Sequence, residues 1–256
     1  MIRLYDIASG SKGNACLIYN EKNIILVDMG ISKSRLEDGL FEIGLNIDDI
    51  DFAFFTHDHT DHIAGEKFIP LSKKYALKGT ITLQNSNILE NYKEYTFGSF
   101  KVTTLKTSHD AINPCGYIFE DKDEKLVYMT DTGKILKKSL VLMNNADYYF
   151  IESNHDLDML YNSGRPQSLI NRIAGIKGHL SNEDSAYYIS GLIGPKTKKI
   201  MLAHLSEDCN TESVALETYR KVFKLKNVDY KGEIKCAKQR ESVALWLKSI
   251  YFVLVQ

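Results

Sequence analysis

Within six residues the chain sets four side chains of the kind that hold metal ions: His57, His59, Asp61 and His62. They follow, with Thr56 between, the apolar run 51–55, which reads as a buried strand. The cluster therefore falls where a strand gives way to a loop. Three imidazoles and a carboxylate this close together are costly to bury without partners. Neutral imidazole and carboxylate oxygen together suit zinc, manganese or iron. A solvated polar turn is the bland alternative, and it leaves the concentration of ligand types unexplained. The spacing points to a metal site with room for two ions.

The remaining histidines extend the pattern. Of seven in the chain, His109, His155, His179 and His204 also lie at the ends of strand-like runs or at helix starts. His109 follows the alternating run 100–108, and His204 ends 199–203. Asp131 ends 125–130, and Asp28 ends 23–27. Loops at strand ends project ligands from a rigid support, so several strand ends bearing His or Asp are a candidate site. Alone, Asp28 has a lesser alternative reading as a strand-end turn residue ahead of Gly30.

In that order, Asp28, His57-x-His59-x-Asp61-His62, His109, Asp131 and His204 resemble the five signature motifs of the metallo-β-lactamase superfamily, over nearly the whole chain. The resemblance implies that His57, His59 and His109 hold one ion and Asp61, His62 and His204 a second. Asp131 would bridge both, and Asp28 would orient the His-rich loop, as outer partners do for metal ligands. The implied fold is an α/β four-layer αββα sandwich, a single domain over 1–256. The implied cofactors are two divalent ions, zinc or manganese, with iron also admissible.

Three further segments bear on the branch. Ser9-Gly10-Ser11-Lys12-Gly13-Asn14 stands between two apparent strands, where small residues allow close backbone approach and free N–H groups can cradle phosphate. A tight turn explains it equally well. The SGSxGN pattern resembles the YycJ/WalJ type of bacterial metallo-hydrolase, which makes Ser11 and Asn14 candidate substrate contacts. Glu152, ending 148–151, and His179 in Gly178-His179-Leu180-Ser181 resemble the tRNase Z arrangement. There a carboxylate orients a histidine that protonates the departing oxygen, a sound general acid because the carboxylate fixes the tautomer. Otherwise His179 is only a helix N-terminal residue. His204-Leu205-Ser206 with Asn210 matches the YycJ type as well, with Ser206 a candidate substrate contact or a turn residue. His155 fits the same pattern at Glu152-Ser153-Asn154-His155 but is not assigned a ligand role.

The expected chemistry is two-metal phosphodiester hydrolysis, with a hydroxide held between the ions as nucleophile. Asp61 would help to position it, and His179, held by Glu152, would be the acid. By resemblance the substrate is DNA, with RNA admissible, and the enzyme an exonuclease. The alternatives are a small-molecule or cyclic-nucleotide phosphodiesterase and a non-catalytic metal-bound regulatory protein. The chain has no room for a long β-CASP insertion and no Gly/Pro-rich arm. A nuclease of this length would grip its substrate with loops or through a homodimer.

The elements that must position these residues are those of an ordinary globular α/β chain. Its 256 residues suffice for one large core. Net charge is −1, so no global nucleic-acid signature exists, and lysine clusters such as 134–138 and 196–199 read as solvated faces. Four scattered cysteines without CxxC spacing suggest reduced thiols and a cytoplasmic protein. No signal peptide is expected at the N-terminus, and no apolar run approaches the roughly 20 residues of a membrane helix. Strands are expected at 2–7, 15–19, 24–27, 52–55, 80–83, 101–107, 116–119, 126–129, 148–151 and 199–203, with further strand signals to the C-terminus. Helices are expected from Ser32 or Ser34 over Leu36, Leu40 and Ile43, then at 63–75, about 135–143, in short pieces over 157–193, and at 212–223.

Overall fold

Strands whose successive residues are all apolar leave no solvent face, so both sides must be covered. The structure, a computed structural model that describes residues 1–245, does this with two stacked seven-stranded sheets. In the first, β14 (Val243–Ala244), β1 (Arg3–Ala8), β2 (Ala15–Tyr19), β3 (Ile24–Val27), β4 (Phe52–Phe55), β5 (Lys74–Leu77) and β6 (Ile88–Leu89) lie side by side. The second is ordered β13 (Glu233–Cys236), β12 (Lys199–Ala203), β11 (Tyr148–Glu152), β10 (Lys125–Met129), β9 (Cys115–Glu120), β8 (Phe100–Lys106) and β7 (Glu94–Phe97). The α-helices are α1 (Lys33–Glu42), α2 (Thr60–Ile63), α3 (Lys137–Met143), α4 (Leu157–Tyr161), α5 (Gln167–Ile173), α6 (Asn182–Leu192) and α7 (Glu212–Leu225).

Strand alternation sorts the side chains into three cores. Ile18, Val27 and Phe54 of the first sheet meet Val102, Tyr117, Phe119 and Phe150 of the second between the sheets. On the outer face of the first sheet, Leu17, Leu26 and Phe55 pack with Leu36 and Leu40 of α1. On the outer face of the second, Val127, Tyr149 and Leu202 pack with Ile189 of α6 and Tyr219 of α7. The result is helix, sheet, sheet, helix: the four-layer sandwich expected from the resemblance. The domain expected over 1–256 and the last strand signals run on into 246–256, which lie outside the described residues.

Two local expectations give way. The segment 63–75 is not one helix: α2 stops at Ile63, and two 3-10 turns, Glu66–Phe68 and Leu71–Lys73, carry the chain onward. Pro70 lacks the N–H a helix interior needs. Gly65 threads so tightly that an added Cβ would stand 2.5 Å from the Ile31 carbonyl. The strand expected at 80–83 forms instead at Lys74–Leu77, where the backbone pairs in parallel with β4 and Lys74 is buried against Glu66. Pairing and burial override the β-branched composition of 80–83. At α1, Ser32 rather than Ser34 is the cap, accepting the Arg35 N–H at 3.2 Å.

Strands β3, β4 and β5 are parallel, as are β10, β11 and β12. Their carboxyl ends, where ligands of such sheets collect, therefore share one rim of the sandwich. Asp28, His57, Asp131, Glu152 and His204 follow or end these strands. Asp28, Asp131 and His204 take φ values of 60°, 53° and 56°. Few non-glycine residues occupy that left-handed region, and strain of this kind gathers at functional sites.

Candidate metal centre

The rim brings together side chains from six segments. His57, His59 and His109 present ligand atoms within 4.8 Å of one another, as do Asp61, His62 and His204. Asp131 joins His57 and His62 in one such group and Glu152, His179 and His204 in another, so it stands between the clusters. His109 reaches the site because its Nδ1 is 3.0 Å from the Gly178 carbonyl, which turns Nε2 toward His59. His62 is fixed in the same way, with Nδ1 2.8 Å from the fully buried Asp28 carboxylate. Asp28 also accepts the Thr56 N–H at 2.8 Å and the Thr56 hydroxyl. It thus grips the start of the His-rich loop and one of its rings at once.

Buried polar atoms test whether these residues suit a metal. Among the described residues, His57 Nε2, His204 Nε2 and Asp131 Oδ2 are buried with no hydrogen bond. Asp131 Oδ2 is 3.3 Å from His62 Nε2 but makes no bond to it. Unsatisfied buried groups cost about 1–3 kcal/mol each. Three of them facing a common space in an imidazole–carboxylate set fit divalent ions. Burial first, then the neighbouring imidazoles, hold His57 well below the usual imidazole range, so its ring is neutral and its lone pair available.

Glu152 is the hub of the second sheet's contribution. It is fully buried, and its Oε1 lies 2.7 Å from His179 Nδ1 and 3.1 Å from His204 Nδ1. Its Oε2 accepts the N–H groups of Thr132 at 2.9 Å and Leu180 at 3.1 Å. Burial alone would raise this carboxyl; His179 and His204 outweigh it and bring it down to about 2. Burial would likewise lower His204, but Asp131, Asp61 and Glu152 raise it to about 10. His179 keeps 19% of its side chain exposed, on the open side of the centre with the more exposed His59 and Asp61. The pairing of His204 with Glu152 was not legible in the sequence; only the parallel register of Glu152 beside Ala203 creates it.

The glycine-rich loop 9–14 forms a tight turn. Gly13 N bonds the Gly10 carbonyl, Asn14 N bonds the Asp61 carbonyl at 2.8 Å, and Gly10 N bonds Asn14 Oδ1. These N–H groups are thus used inside the protein rather than offered to a phosphate. Asn14, expected as a substrate contact, is buried instead, with Nδ2 3.0 Å from His62 Nε2 and 3.2 Å from the Asp61 carbonyl. It braces the metal loop. Ser11 is exposed at the loop tip, beside Lys12, which pairs with Glu207. Ser206 is half-buried and its hydroxyl accepts the Cys209 N–H at 3.2 Å, the turn role. Asn210 donates to the Ser153 and Asn154 carbonyls within a buried network. His155 is buried; burial first lowers it to about 4, and it joins none of the ligand groups. Sequence reasoning also passed over Asn154, whose amide donates to the His204 carbonyl at 2.8 Å.

A two-sheet sandwich with this His/Asp cluster at its rim defines a metallo-β-lactamase-type protein. The comparisons agree. A model of the beta-lactamase superfamily domain matches residues 24–204, and the chain belongs to that superfamily, whose fold implies divalent metal at the His/Asp cluster. The chain is 35% identical over 226 residues to exodeoxyribonuclease WalJ of Streptococcus pneumoniae serotype 2, covering 82% of this chain and 83% of that one. It is 34% identical over 235 residues to exodeoxyribonuclease YycJ of Bacillus anthracis, covering 86% and 88%. In fold it is similar to the metallo-beta-lactamase fold protein YhfI of Bacillus subtilis, with a TM-score of 0.70, 17% identity, and 95% and 99% of the two chains covered.

Proposed function

We propose that the chain is a two-metal phosphodiester hydrolase that degrades DNA from an end. The observation that carries the chemistry is the 2.7 Å contact between His179 Nδ1 and the buried Glu152 carboxylate beside the ligand clusters. The DNA substrate is supported by the names of the WalJ and YycJ relatives. In this reading His57, His59 and His109 would hold one ion and Asp61, His62 and His204 the other, with Asp131 available to both. Bound there, zinc or manganese supplies charge neutralisation at the phosphoryl oxygens and a water acidic enough to attack near neutral pH.

The protein's own groups do the rest. Glu152 accepts the His179 Nδ1–H, so in the imidazolium form the second proton sits on Nε2, which offers it to the departing oxygen. Asp61, one quarter exposed, faces His62 Nε2 at 3.7 Å and His204 Nε2 at 3.9 Å and orients the attacking water. Aligned dipoles and charges that need no reorganisation during the step are where such a site gains most. No helix among the described residues is long and apolar enough to cross a membrane. The four cysteines are buried and unpaired, which supports residence in the reducing cytoplasm.

The test is digestion of end-labelled single-stranded and duplex DNA by protein loaded separately with zinc and manganese, beside His179→Ala. Progressive loss from one end, slowed about 10²- to 10⁴-fold in the variant at unchanged metal content, is the expected result. Turnover of bis(p-nitrophenyl) phosphate without any attack on DNA would move the assignment to small phosphodiesters. A metal-loaded protein inert toward all of them would be a binding protein rather than an enzyme.

A further inference from the structure

Asp110 and Arg172 border the metal centre and have no part in the chemistry above. Asp110 Oδ1 lies 3.5 Å from His109 Nε2 and 4.0 Å from His59 Nε2, while its Oδ2 accepts the Arg172 Nε–H at 2.6 Å. One carboxylate thus separates the guanidinium from two imidazoles of the first cluster. Arg172 is 58% exposed, and an exposed pair of this kind adds at most about 1 kcal/mol to stability. Stability alone is a weak reason for the arrangement.

Orientation is a better one. Arginine has five N–H donors in a planar fork suited to phosphate. Asp110 takes the Nε–H, and no other partner for the guanidinium appears among the described residues, so the outer nitrogens face solvent ready to donate. The segment that follows α5 is fastened to the same loops. The Ser108 hydroxyl donates to the Ile176 carbonyl at 2.6 Å, and His109 Nδ1 lies 3.0 Å from the Gly178 carbonyl. A Cβ on Gly133 would stand 2.2 Å from the Gly175 carbonyl. Arg172, in the last turn of α5, is therefore held at a set place beside the centre, just ahead of the strap that ends in His179.

We propose that Arg172 binds a phosphate of the DNA strand adjoining the one being cleaved, with Asp110 as the residue that positions its guanidinium. The inference rests on the nuclease reading and adds to it a substrate rule: the site favours diesters that carry a second phosphate in the chain. Phosphates recur along one strand about every 3.4 Å of helix axis, so a neighbour of the cleaved group always lies close by.

The experiment compares metal-loaded wild-type protein, Arg172→Ala and Arg172→Lys on a single-stranded oligonucleotide and on bis(p-nitrophenyl) phosphate, which has no second phosphate. Arg172→Ala is expected to raise KM for DNA about tenfold or more with a much smaller change in kcat. Its loss of kcat/KM on DNA should exceed its loss on the aryl diester by about tenfold. Arg172→Lys, keeping the charge but not the fork, should fall between. Fluorescence anisotropy with a labelled oligonucleotide, on the slowly cleaving His179→Ala background, should show weaker binding on adding Arg172→Ala. The slope of log affinity against log salt should become shallower by about 0.7, the value for one phosphate contact on a single strand. Equal losses on both substrates, or unchanged KM and salt slope, would overturn the proposal while leaving the nuclease reading intact. A wild-type protein inert toward DNA would overturn both.

Discussion

Two side chains and one glycine decide how well the centre is held. Glu152 faces a candidate ligand, His204, and a candidate acid, His179, with the same oxygen, so its loss should act twice. Glu152→Gln is expected to lower turnover about 10²- to 10⁴-fold, as loss of the acid would. It should also weaken metal binding about 10- to 100-fold, as loss of a ligand's outer partner does. His179→Ala should lower turnover alone, so metal titrations of the two variants separate the roles. Gly30 is the third point: a Cβ there would lie 1.6 Å from the Asp61 carbonyl. Gly30→Ala must push the His-rich loop away from Asn14, and metal content measured after purification should fall even where the protein folds.

At the scale of elements, β1 carries an unexpected burden. Asp6 is fully buried, paired in register with Cys16 of β2 and Val243 of β14, and neither carboxylate oxygen has a hydrogen bond among the described residues. Burial first, against an opposing pull from Arg35, raises its carboxyl well above the ordinary range, so the folded protein keeps the proton. A group with a raised folded pKa contributes its full stability below its unfolded value, near 4, and loses it as pH climbs through the folded one. Asp6→Asn removes that dependence. In urea denaturation the variant's stability relative to wild type should rise with pH, by about 1.4 kcal/mol per unit between the two values. A difference that stays flat from pH 5 to 8 would show that Asp6 is not the titrating group.

At the scale of the molecule, the rim is only as good as the core beneath it. Phe54 sits between the sheets against Phe97, Tyr117 and Phe119, three residues before His57. Phe54→Ala should cost about 3–5 kcal/mol by denaturant unfolding, because a rigid two-sheet core collapses poorly onto a cavity. The nearly balanced charge, 32 basic against 33 acidic side chains, has a consequence for DNA. Lysines that seemed clustered in the sequence are partly engaged: Lys198 pairs with Glu124 and Asp147, and Lys138 lies over the Tyr92 ring. Strand binding then depends on a few local contacts rather than a broad positive field.

The sequence by itself determined an α/β chain and the ligand types, and the resemblance of its motifs to a family implied the sandwich. Apolar runs ending in His or Asp recur because a strand that is buried along its length must hand over to a polar loop at its end. That pattern survives without any tertiary information, and so does the tight spacing from His57 to His62. It could not say which strands lie beside which. The fold alone brings Glu152 beside His204, Asp110 under Arg172, and Asn14 onto His62, partners 52, 62 and 48 residues apart. It also moved Asn14 from the solvent to the interior and the fifth strand from 80–83 to Lys74–Leu77. Local periodicity records which faces are buried, whereas register and parallel pairing are settled only when distant segments compete for the same edge and the same buried space.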